Sequence, residues 1–113
     1  MERIAILRKA IMEAMTEHAS LLVGANQPSI EYQVLTDEKH DKYQLLAVGW
    51  EKHERVYYVI FHADIIGGKI WVQEDNTEEG FASLLLEKGI EKQDIVLAYY
   101  PDFHRGFTEF AVA

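Results

Sequence analysis

Between Tyr43 and Glu74 the chain carries three runs rich in β-branched and aromatic residues, broken only at Lys52-His53 and Gly67-Gly68. Breaks that short leave no room for a crossover helix, so each run can only fold back on the one before it as an antiparallel hairpin. The runs predict strands over 43–50, 55–65 and 69–74. An earlier strand is expected over 29–36, where Ile30, Tyr32 and Val34 alternate with polar residues, followed by a charged loop from Thr36 to Lys42. An antiparallel four-strand meander is the frame onto which everything else must pack.

The turns also set a register. Gly67-Gly68 suits a two-residue primed turn, which pairs Ile66 with Lys69, Ile65 with Ile70, Ala63 with Val72 and His62 with Gln73. A short loop at Lys52-His53 puts Val48 opposite Tyr57 and Leu46 opposite Val59. With regular alternation, one face then carries Leu46, Val48, Trp50, Tyr57, Val59 and Phe61, continued by Ala63, Ile65, Ile70 and Val72. This is the predicted core face. The other carries Tyr43, Leu45, Ala47, Tyr58 and Ile60, continued by His62, Asp64, Lys69, Trp71 and Gln73. That second face is too apolar for water and is expected to be covered by the tail, another subunit or a partner.

Two helices flank the meander. Ile4, Leu7, Ile11, Ala14, Met15, His18, Leu21 and Leu22 recur at spacings of three and four, predicting a helix over 3–22 that Gly24, Asn26 and Pro28 end. His18 is read as a core-edge histidine. Asn76 reads as the N-cap of a second helix over 77–88, with Glu79 completing a capping box, Phe81, Leu84, Leu85 and Lys88 on one face and Gly89 as the stop. A short buried strand over 95–99, ended by Pro101, and an edge strand over 107–112 complete the expected α+β fold, a single domain over 1–113.

Hydrophobic residues make up 49% of the chain and aromatics 12%, enough for a packed core, yet no apolar run is long enough to span a membrane. Glu2, Arg3 and Arg8 interrupt the first apolar stretch, unlike a signal peptide, and the absence of cysteine is compatible with a reducing compartment; a cytoplasmic location is expected. The formal charge is -8 with no clustered basic run, which argues against direct nucleic-acid binding and suits either plain solubility or a basic protein partner.

Few residues suggest chemistry. His62 and Asp64, two apart on a strand, project from one face and could share a proton or a metal, but no third ligand accompanies them; a polar patch at an interface beside Trp71 and Gln73 is the favoured reading. A magnesium-dependent nuclease would draw on Asp64, Glu74 and Asp75, and the expected register sets Glu74 on the face away from Asp64. Ser83 and Thr108-Glu109 have no nucleophile elbow, and neither Gly67-Gly68 nor Val48-Gly49 belongs to a phosphate-binding loop. No catalytic residue, metal site or cofactor is expected. In the tail, His104, Arg105 and Glu109 stand among Phe103, Phe107 and Phe110, a composition common at protein interfaces. The partner-binding candidates are Arg105, Phe103, Phe107 and Glu109 with Trp71, Tyr58, His62 and Asp64.

The ordered phrases Tyr43-Gln44-Leu45-Leu46, Val48-Gly49-Trp50, His62-Ala63-Asp64-Ile65, Gly68-Lys69-Ile70-Trp71-Val72-Gln73, Asp75-Asn76-Thr77-Glu78, Asp94-Ile95-Val96-Leu97-Ala98 and Phe107-Thr108-Glu109-Phe110-Ala111-Val112-Ala113 together resemble the XisI family, cyanobacterial factors named for controlling excision of the fdxN DNA element. The resemblance runs from about residue 30 to Ala113, and Glu91 departs from it where the family pattern has a proline. It implies a regulatory protein that is not an enzyme and acts through contacts with a nuclease-like companion, XisH; self-association is expected separately, from the apolar face carrying Tyr58, Ile60 and Trp71. An acidic inhibitor or assembly subunit of that companion is the alternative within the class. A small metal-dependent enzyme using His62 and Asp64 is the alternative outside it.

Overall fold

Both tight turns form as the short breaks require. The computed structural model describes residues 2–23 and 29–113. In it β2 (Lys42–Glu51), β3 (Glu54–Ile66) and β4 (Lys69–Asp75) run antiparallel in sequence, with β1 (Ile30–Asp37) outside β2. Gly67 and Gly68 have φ of 57° and 76°, the pair of positive values a type I′ turn needs and a side chain would resist. Glycine is also required at position 49, where a Cβ would stand 2.1 Å from the Ser29 carbonyl oxygen as the chain enters β1.

Helix α1 (Arg3–Val23) buries Leu7, Ala10, Ile11, Ala14 and Met15 against one sheet face. Its final turns stay on the core through the partly buried Ala19 and Leu22, but Leu21, expected on the buried stripe, is 75% exposed and His18 is half-buried. The expected stop at Gly24, Asn26 and Pro28 lies outside the described residues. Arg3 anchors the other end, donating Nε–H to the Gly68 carbonyl and an Nη to Asp94.

The face assignment is where sequence periodicity misleads. Val48 does pair with Tyr57 and Leu46 with Val59, but the next β2 residue, Leu45, pairs with Phe61. Ile60 is therefore an extra residue, a β-bulge, and alternation along β3 changes phase there. Tyr43, Leu45 and Ala47, expected outside, join Phe61, Ala63, Ile65, Ile70 and Val72 in the core. Leu46, Val48, Trp50, Tyr57 and Val59, expected inside, lie on the other face, where Trp50 is 50% and Tyr57 65% exposed. Ile60 itself is buried in the core. A second bulge follows: Ala63 pairs with Val72, but His62 pairs with Glu74 and not with Gln73. Glu74 is thereby brought across from His62, correcting the register that separated it from this part of β3.

Asn76 explains how the first bulge is held. Its backbone N–H donates to the Ile60 carbonyl and its Nδ2 to the Val59 carbonyl, both at 2.8 Å. It is thus committed to β3 and does not cap the second helix. That helix, α2 (Phe81–Glu87), starts later than expected, and Asp75 satisfies its approach by accepting from Thr77 N–H and Thr77 Oγ1 with one oxygen and from Phe81 N–H with the other. Phe81 and Leu85 are buried, with Phe81 stacked on Phe61, and Gly89 at φ 90° ends the helix as expected.

After α2 a 3-10 turn over Lys92–Asp94 leads into β5 (Ile95–Leu97), which pairs parallel to β4, so the sheet has five strands in the order β1-β2-β3-β4-β5. Glu91 has φ of -81°, close to a proline's, so the turn forms without one. The strand over 95–99 is shorter than expected. The edge strand over 107–112 does not form: the tail makes one helical turn, α3 (Asp102–Arg105), and then a single parallel bridge between Ala111 and Val96. Pro101 precedes α3 and turns the chain out of line with the sheet, so that Ala111 N–H reaches the Ile95 carbonyl without a ladder forming. No helix among the described residues is long and apolar enough to cross a membrane.

One ionic cluster joins α1 to the β1–β2 turn. Arg8 donates Nε–H to Asp41 at 2.7 Å, and the Tyr43 hydroxyl donates to the same carboxylate at 2.9 Å. The Arg8 hydrogen bond holds the Asp41 carboxyl below its ordinary range, while burial, then the bond to Asp41, pushes the Tyr43 phenol up to about 12. Asp37, bonded to His40, and Glu109, bonded to Lys92, are also lowered. Lowered carboxyls stabilise the fold above their unfolded values, near 3.8 for Asp41, and lose that contribution as pH falls through the folded values. The raised phenol does the reverse: its contribution is complete below pH 10.0 and is lost as pH rises toward about 12. Melting temperature should therefore be flat near neutrality and fall on both flanks, and Tyr43→Phe should reduce the alkaline fall, to which Tyr32, Tyr99 and Lys88, also raised, contribute the rest. An unchanged alkaline flank in that variant would discount the phenol.

Candidate functional site

The sheet face turned away from the helices carries a polar network on β2 and β3 and, next to it on β4, Trp71 under the aromatic tail. Gln44, Lys42, His62 and Asp64 come together there because β2 and β3 pair Gln44 with His62 and Lys42 with Asp64. The Gln44 amide donates to His62 Nδ1 at 2.7 Å, and His62 Nε2–H donates to Asp64 Oδ1 at 2.8 Å. Gln73 donates to Asp64 Oδ2 at 3.3 Å, and Lys42 Nζ stands 3.6 Å from the same oxygen. Asp64 is only 7% exposed, and these neighbours supply hydrogen bonds its buried oxygens would otherwise lack. Both imidazole nitrogens are engaged, one as acceptor and one as donor. A buried carboxylate with that many partners serves as a fixed element of the face.

Trp71 adjoins the network, since it pairs with Asp64 on one side and Val96 on the other. The tail closes over it. Arg105 places its guanidinium 5.4 Å from the Trp71 ring centre and donates Nε–H to the Tyr100 carbonyl at 3.0 Å. Thr108 Oγ1 and Thr108 N–H both donate to the Arg105 carbonyl, tightening the turn after α3. Lys69 Nζ donates to an oxygen of Ala113 at 2.5 Å, and Lys92 pairs with Glu109 at 2.6 Å, so the last residues are tied to β4 and to the turn before β5. Tyr99, Tyr100, His104 and Phe107 form a run of tilted ring contacts with centroids 4.5 to 6.1 Å apart. Phe103 and Phe107 remain 77% and 85% exposed.

The candidate residues thus divide. His62, Asp64, Trp71 and Arg105 lie together on one face, with Phe103 and Phe107 projecting from the tail docked there and Glu109 tied to Lys92 beside β5. Tyr58 does not belong to them: it pairs with Ala47 on the helix side and borders a groove near His18 and Leu21. Arg105, expected as an exposed anchor, is half-buried and spends donors on its own tail, which makes it the residue that positions the aromatics. Gln44 and Lys42 were not singled out from sequence, although the β2–β3 register joins them to His62 and Asp64. Asp75 is spent on the approach to α2, away from the Asp64 network. Among the described residues no three His, Cys, Asp or Glu side chains cluster as a metal-holding set.

Comparison with known proteins gives this arrangement a family. The family model described as "XisI protein" matches residues 1–112. The chain belongs to the XisI family. A crystal structure of the fdxN element excision controlling factor XisI from Anabaena variabilis ATCC 29413 superposes with a TM-score of 0.82 at 32% identity, covering 99% of this chain and 100% of that one. A XisI-like protein from the same organism gives a TM-score of 0.81 at 30% identity, covering 96% of this chain and 99% of that one. No match was found among curated proteins. Both the family model and the XisI structures match through α1, ahead of residue 30 where the resemblance read from sequence begins, and the α+β architecture is that of XisI proteins.

Proposed function

We propose that this chain is a non-catalytic controlling factor for programmed DNA-element excision and that it acts through contacts with a XisH-like protein. The likeness over the full chain to an fdxN element excision controlling factor carries this reading. The contact mechanism draws support from the tail, where exposed Phe103 and Phe107 stand beside Trp71 on a scaffold held by hydrogen bonds. Exposed aromatics on a rigid support lose little entropy when a partner covers them. The non-catalytic reading draws on His62 and Asp64, whose hydrogen-bonding positions are taken up by each other, Gln44 and Gln73.

Co-expression of the tagged chain with a XisH-like protein, followed by a pull-down, tests the contact. Retention of the companion is expected; its loss at micromolar concentrations would remove the proposed mechanism. The chain alone, at formal charge -8, should not bind duplex DNA, because the counterion release that drives such binding requires cations. Saturable, salt-sensitive binding in an anisotropy titration would overturn an indirect role. Acting as an inhibitor or as an assembly subunit is a matter of sign: added chain would lower or raise nuclease activity of the companion. The Trp71 face could also seat a second copy of this chain, in which case light scattering would give a dimer without the companion.

A further inference from the structure

On the other side of the molecule, the end of α1, the β3 bulge and α2 enclose a groove of about 630 Å³. Its floor is apolar: Leu21 and Leu22 of α1, Tyr58 and Ile60 of β3 and Leu84 of α2. The bulge creates it. Ile60 turns inward with Phe61, Asn76 holds the Val59 and Ile60 carbonyls, and Tyr58 is left 49% exposed across the groove from the end of α1. Glu17, Glu78, Glu79 and Glu87 ring the floor, and among the described residues no lysine or arginine lines it. Lys88 neutralises Glu17 at 2.6 Å from outside, whereas Glu78, Glu79 and Glu87 have no ion-pair partner among the described residues.

An apolar floor inside a ring of carboxylates, of which only Glu17 is ion-paired among the described residues, is complementary to a segment with an aliphatic face flanked by cations. The carboxylates come from α1, the β4–α2 connection and α2, so a small monocation would meet one of them while leaving the others unanswered. Several cations spread along an amphipathic stretch answer all, and their aliphatic stems add to burial on the floor. We infer that this groove is a docking site for a lysine- or arginine-bearing amphipathic segment of a partner protein, distinct from the Trp71 face and independent of who the companion is.

A fluorescent leucine/lysine amphipathic peptide titrated into the full chain tests this. It should bind with an affinity that falls as salt rises, because the rim charges are solvent-exposed. Glu78→Lys with Glu87→Lys should weaken binding by about tenfold or more, since attraction becomes repulsion, while Glu38→Lys in the β1–β2 turn should change it little. Leu21→Ser, at a position too exposed to matter for folding, should weaken it comparably. A lysine/serine peptide of equal charge should bind poorly. The proposal fails if the peptide does not bind at hundreds of micromolar, if Glu38→Lys is as damaging as the rim pair, if Leu21→Ser has no effect, or if the lysine/serine peptide binds as well. Melting curves for each variant separate lost binding from lost folding.

Discussion

Leu45→Ala should destabilise the protein by about 2–5 kcal/mol, whereas Tyr57→Ala should cost less than about 1 kcal/mol. Leu45 is fully buried in the core and paired with Phe61 of β3, and its truncation removes transfer energy and leaves a cavity in close packing. Tyr57 is 65% exposed on the opposite face, so little is lost with it. For a domain of this size the first change corresponds to a fall in melting temperature of about 8 °C or more. The comparison decides which face is the core. Regular alternation without the bulge would give the reverse result, with Tyr57→Ala the costly change and Leu45→Ala the mild one, so thermal melts of the two variants distinguish the two registers.

Phe107→Ser should weaken capture of the XisH-like companion by roughly thirtyfold, the loss expected when an interface anchor worth about 2 kcal/mol is removed. Its melting curve should stay close to that of the parent, because a ring 85% exposed contributes little to folding. Arg105→Ala should behave differently. Its guanidinium holds the tail by stacking over Trp71 and donating to the Tyr100 carbonyl, so truncation should loosen the aromatics and alter Trp71 fluorescence as well as binding. Paired pull-downs and melts check both. Normal capture by a folded Phe107→Ser protein would exclude Phe107 from the interface, and an unchanged Trp71 signal in Arg105→Ala would deny Arg105 its positioning role.

The sheet network and the tail were legible to different degrees. His62 and Asp64 share a face whatever the register, because residues two apart on an unbroken strand always do. That Gln44 completes the pair depends on a register that changes phase within β3. The tail's aromatic content was plain from Phe103 to Phe110, but its shape was not: alternation suggested a strand, and Pro101 with the Thr108 hydrogen bonds produced a helical turn and loop instead. Asn76 and Glu79 formed a sound capping pattern, yet Asn76 gained two hydrogen bonds by facing β3, and a local motif yielded to a tertiary one.

Sequence alone determined the elements whose causes are local. The periodic stripe of α1, the two hairpin turns, the strands between them, the stop at Gly89 and the family all rest on neighbours a few positions apart. The faces of those elements were another matter. A strand's period of two makes its inside and outside interchangeable by one inserted residue, and whether Ile60 is inserted depends on Asn76 arriving from the end of β4 to satisfy the carbonyls the bulge exposes. Only the tertiary structure contains that meeting. It decided that Tyr43 and Leu45 are core, that Trp50 and Tyr57 are surface, and that Tyr58 and Trp71 look out from opposite sides of the sheet.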